Sequence, residues 1–70
     1  MNTDLLRSKI VAKGWNIGQF CQVAGFNRAT FDRKLAGRSE FDRDEIMRIA
    51  DVLGLTADEV MEIFFVKLVA

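Results

Sequence analysis

Arg28, Ala29 and Arg33 stand close together in the chain, and their side chains suit one kind of chemistry. A guanidinium donates two parallel N–H bonds to the O6 and N7 edge of guanine, and an alanine methyl packs on the methyl of thymine. If a helix presents them on its outward face, they are candidates for reading base edges in a major groove. Asn16, Gln19, Asn27, Thr30, Lys34 and Arg38 surround them with amide, hydroxyl and cationic groups of the kind that hold phosphate oxygens. Asn27 also suits the capping of a helix, and Thr30 suits a contact with backbone alone. Asp32 lies four residues after Arg28, so the two can pair on a helix surface. Asp32 would meet phosphates unfavourably unless it pairs in this way or accepts from cytosine, which makes it a matter of selectivity more than affinity.

The elements that must position these groups are legible from Phe20, Cys21, Ala24, Gly25, Phe26, Phe31 and Leu35. They describe two short helices joined by a tight turn, with a small residue (Cys21) at the close approach and a glycine (Gly25) where positive φ is needed. Asn16 with Gln19 three residues later makes a capping box for the first of the two. Asn27 caps the second, which runs to about Ala36, with Phe31 and Leu35 inward and Gly37 as its left-handed terminator. Upstream, Thr3 and Asp4 are read as the start of a helix with Leu6, Ile10 and Val11 on its apolar stripe and Gly14 as its stop. Downstream, Asp42 with Glu45 opens a helix burying Ile46, Ile49, Ala50 and Leu53, closed by Gly54. Thr56 with Glu59 opens a fifth, with Val60, Ile63 and Phe64 on its buried side. The expectation is one all-α domain over 1–70, a compact five-helix bundle packed by ridges into grooves. Its helix-turn-helix covers about 16–36, and a C-terminal helix and apolar tail cover about 57–70.

Composition excludes several classes of function. The chain has 70 residues, no histidine and one cysteine. A domain of this size buries only about 60% of its unfolded surface, leaving little room for a pocket that desolvates paired carboxylates. With no histidine and no Ser or Thr beside a plausible base, nucleophilic and general-base routes are lacking, so an enzyme is not expected. The lone cysteine cannot close a disulfide, and neither a metal site nor a cofactor is expected. Cys21 reads as a small core residue. No apolar run approaches the roughly 20 residues that cross a bilayer, and the polar start is unlike a secretory signal. The expected protein is soluble and cytoplasmic, with no membrane partner.

Two segments, KGWNIGQFCQVAGFNRATFDRKLAGRSEF and RDEIMRIADVLGLTADEVMEIFF, resemble the phage repressor and Cro type of helix-turn-helix, the lambda-repressor-like family, especially its small phage and prophage members. The likeness covers most of the chain. It implies operator binding on double-stranded DNA, usually by a dimer, in transcriptional control. By the same resemblance, the positions of Arg28, Ala29 and Arg33 read bases. The family often places glutamine where this chain has Ile17.

Charge is unevenly shared along a chain whose formal net charge is zero. Between Asn27 and Arg38, Arg28, Arg33, Lys34 and Arg38 face only Asp32. Between Ser39 and Glu62, Arg43 and Arg48 are outnumbered by Glu40, Asp42, Asp44, Glu45, Asp51, Asp58, Glu59 and Glu62. A small basic patch on an acidic body suits docking on DNA in one orientation, with modest affinity per monomer and marked salt sensitivity. The acidic segment also suits a second reading, in which the same fold binds another regulatory protein such as a repressor, an anti-repressor or a toxin. Phe64, Phe65, Val66 and Leu68 continue the apolar character toward the C-terminus and are candidate homodimer contacts; the alternative is that Phe65 and the tail fold back on their own core. Trp15 is expected to pack over the first connection.

Overall fold

Side chains that satisfy free backbone amides decide where these helices begin. In a computed structural model of the protein, which describes residues 1–65, α1 spans Thr3–Ala12, α2 Ile17–Ala24, α3 Arg28–Leu35, α4 Arg43–Leu53 and α5 Ala57–Phe64. The three anticipated capping boxes are all formed. Asn16 accepts from the Gln19 amide at 2.8 Å while Gln19 accepts from the Asn16 amide at 2.9 Å. Asp42 and Glu45 exchange the same bonds at 2.8 and 2.9 Å, and Thr56 and Glu59 at 3.2 and 2.9 Å. Each box satisfies two donors that the helix itself leaves free.

The start of α1 differs from the expectation. Asn2, not Thr3, is the cap, and its side chain accepts from the Leu5 amide at 3.1 Å. Asparagine outranks threonine in this role. Thr3 becomes the first helical residue, and its hydroxyl donates to the Leu35 carbonyl at 3.3 Å, tying α1 to the end of α3. Val11 does not join the apolar stripe: it is 68% exposed, while Leu6 and Ile10 on the neighbouring face are fully covered.

The core unites all five helices: Leu6 and Ile10 from α1, Phe20, Cys21 and Ala24 from α2, Phe31 and Leu35 from α3, Ile49 and Leu53 from α4, and Ile63 from α5. Ile46, Ala50, Val60 and Phe64 are half-buried around it. An aromatic series runs through the middle. Phe31 lies 5.5 Å from Phe20, 5.4 Å from Phe26 and 5.5 Å from Phe41, centroid to centroid, and Phe41 meets the edge of Phe64 at 5.8 Å. Trp15 extends it at the other end, 6.3 Å from Phe20, so the indole packs over the connection after α1 as expected. Tilted and edge-on rings at these separations add attraction beyond the area they bury.

α5 closes the bundle against α1 and α4. The Asn2 amide donates to the Ile63 carbonyl at 2.7 Å, and Lys9 pairs with Glu59 across the same seam. The Lys9 ammonium, with the Thr56 amide, holds the Glu59 carboxyl down from 4.5 to about 2.

Phe31→Ala is expected to destabilise the domain by about 3 to 5 kcal/mol in urea unfolding, because it leaves a cavity where four rings meet. Glu59 has a depressed pKa, so its contribution is complete above its unfolded value and disappears as pH falls from 4.5 through about 2. Glu59→Gln, which keeps the cap but loses the charge, should therefore be less stable than the parent at neutral pH. The two melting curves should converge as the acid limit is approached.

Candidate nucleic-acid interface

The helix pair α2 and α3 is set by the residues between them. Gly25 takes φ 77°, ending α2, and the Phe26 amide turns back to the Cys21 carbonyl at 2.8 Å. A side chain at Gly25 would meet no neighbour, so backbone conformation is what selects glycine there. Asn27 then caps α3, accepting from the Thr30 amide at 3.1 Å. Cys21 is buried at the junction, and burial pushes its thiol up, which keeps it neutral and unreactive.

With Phe31 and Leu35 turned inward, the outer side of α3 carries Ala29, Asp32 and Arg33, and Arg28, the first residue of the helix, is exposed as well. The three candidate base readers are all open to solvent, Arg28 and Ala29 in the first turn of α3, the end by which a helix meets base edges, and Arg33 in its last turn. Arg28 is engaged with its neighbour: Nε donates to both carboxylate oxygens of Asp32, at 3.2 and 3.1 Å. Asn27 is exposed at the same end, while Thr30 is half-buried.

The other candidates divide. Asn16 and Gln19 are exposed at the start of α2, where their carbonyl oxygens serve the capping box and their NH2 groups remain free to donate. Ile17, the first residue of α2, packs against the core, which accounts for an apolar side chain where glutamine is common in the family the sequence resembles. Arg38 is exposed just beyond Gly37, at the far end of α3. Lys34 is not a free cation: it pairs with Glu45, with side chains only 14% and 16% exposed, and lies over the Phe41 ring.

Two positioning contacts had no local signature. The Lys34–Glu45 pair joins the last turn of α3 to the capping box of α4. Arg48 of α4 lies 5.0 Å from the centre of the Phe26 ring and donates to the Gly25 carbonyl at 3.5 Å, bracing the turn from behind. Of the candidate dimer residues, Phe64 is half-buried against Phe41, and Phe65 is 50% exposed. Val66 and Leu68 lie outside the described residues.

A capped helix pair with a three-residue turn and an open, arginine-bearing second helix defines a helix-turn-helix DNA-binding domain. A family model described as the Cro/C1-type HTH DNA-binding domain matches residues 6–65, and the chain belongs to that family. No curated protein and no solved structure matches it. Among the described residues no helix is long and apolar enough to cross a membrane.

Lys34→Met is expected to lower stability by about 1.5 kcal/mol, since it strands Glu45 in a poorly solvated place. It should leave the slope of DNA affinity against salt concentration unchanged, which a fluorescence anisotropy titration at several salt concentrations would check.

Proposed function

We propose that this chain is a sequence-specific transcriptional regulator of the phage or prophage repressor and Cro kind, which lays α3 in the major groove of operator DNA and acts as a homodimer. The observation that carries the reading is the exposure of Arg28, Ala29 and Arg33 along α3, with no segment of the described chain covering them. Arg28 and Arg33 each have a guanidinium to offer a guanine, and Ala29 has a methyl to offer a thymine. Backbone holding falls to the NH2 groups of Asn16 and Gln19, the free amides of the first turn of α2, and Arg38.

Dimer formation is supported by apolar surface away from this face. Met47, Met61 and Phe65 are each at least half exposed. Pairing two copies would double a basic patch that is small for one chain and would give operator half-sites a two-fold relation. The acidic side chains Asp44, Asp51, Asp58 and Glu62, also exposed on α4 and α5, favour the second reading, docking of another regulatory protein with basic character.

Selection of duplexes from a random pool by the purified protein tests the first reading. A shared, two-fold related motif should be enriched. Arg28→Ala and Arg33→Ala should each cost about 1 to 3 kcal/mol on that motif and relax preference at separate base positions. Sedimentation should report two chains per duplex. Enrichment of nothing, with weak binding that neither substitution alters, would favour the protein-docking reading.

A further inference from the structure

Gly18 is the one glycine of this chain that does not take positive φ. It sits in the first turn of α2, where alanine would serve the backbone as well or better. What distinguishes the position is its neighbour. A Cβ placed there would come within 3.1 Å of Nη1 of Arg28 and 3.4 Å of the Asn16 side-chain oxygen. The Arg28 guanidinium therefore lies against the start of α2, so close that a side chain at position 18 would push its tip aside by a few tenths of an ångström.

The same guanidinium is held from its other side. Both oxygens of Asp32 accept from Nε, at 3.2 and 3.1 Å, one helical turn along α3. Nε–H is the donor that a guanine-reading arginine can spare, because the terminal Nη groups still form a two-pronged edge. Asp32 thus occupies the inner donor and leaves the outer ones free. Arg28 and Asp32 are 58% and 51% exposed in their side chains, so neither is held by packing. An exposed pair on one helix is weak by itself. Two features thus meet at one guanidinium, open space at Gly18 and a paired carboxylate at Asp32.

We propose that Asp32 and Gly18 are specificity-determining residues that hold Arg28 ready for a guanine and penalise other uses of it. The proposal rests on the DNA-reading function above. Its physical content is twofold. A side chain ordered before contact loses less freedom on binding. A carboxylate on the reading face also repels phosphates wherever Arg28 has no base to engage, which weakens non-specific binding more than specific binding.

The test uses the whole chain and two probes, the duplex enriched from a random pool by the unmodified protein and a duplex of the same composition in shuffled order. The measured quantity is the ratio of the two affinities, with thermal melting as the control for folding. Asp32→Asn should tighten binding to the shuffled duplex and lower the ratio about fivefold or more, the low end of what one bidentate arginine contact supplies. In an Arg28→Ala background the same substitution should leave the ratio unchanged. Gly18→Ala should melt no lower than the parent, because the atom it displaces is the end of a long side chain, yet it should lower the ratio. That loss too should vanish with Arg28→Ala.

Equal changes on both duplexes would overturn the proposal, reducing Asp32 to a general charge and Gly18 to a site of phosphate approach. A changed ratio that persists without Arg28 would also overturn it. In either case the unmodified protein still prefers the enriched duplex and the DNA-reading function stands. If the unmodified protein enriches no duplex, the function and the proposal fall together.

Discussion

The burial of Phe31 is the constraint on which the exposed surface of α3 depends. α3 has eight residues, too few to be stable alone, and its sequence RATFDRKL offers only Phe31 and Leu35 to the core. Phe31 lies among three other phenylalanines, drawn from α2, the turn and the loop before α4, so one side chain fixes the helix in rotation and in depth. Everything outward on α3 then follows from its period. Ala29, Asp32 and Arg33 are turned to solvent, while Thr30 and Lys34 at the flanks are half-buried.

Charge is organised to a similar end. The last turn of α3 carries Arg33 and Lys34 side by side, and they have opposite fates. Arg33 points out, whereas Lys34 is drawn down to Glu45 across the Phe41 ring. Lys34 acts as a strut between α3 and α4, and Arg48 braces the turn at its other end. Lys34 is thereby removed from the cations available to phosphates. The surface left to meet a polyanion is smaller than the sequence suggests, and more sharply placed.

Signals that act over a few residues were legible in the sequence. The three capping boxes, the turn at Gly25 and the inward pairs of α3 and α4 all depend on partners within one helical turn, and all are present in the fold. What was not legible is what the chain brings together from afar. Lys34 and Glu45 are eleven residues apart, and Arg48 is twenty-three residues from Gly25. Phe41 lies in no helix and has no periodic neighbour, yet it bridges Phe31 and Phe64. Asn2 took the cap expected of Thr3 by its stronger capping preference, but the bond from the freed Thr3 hydroxyl to α3 is one that no pattern in the first ten residues could disclose. On α3, the residue types were evident and the open surface was expected. The nearness of Gly18 to the Arg28 guanidinium was not, because a glycine in a first turn resembles any other until its neighbour is seen.

The sealed position of Cys21 has a consequence for where oxidants can act on such a domain. The sole thiol is covered between two helices and burial keeps it neutral, whereas the thioethers of Met47 and Met61 stand open to oxidants. Oxidative change in the described residues therefore falls on α4 and α5, which carry those two methionines, before it reaches the junction of the helix pair.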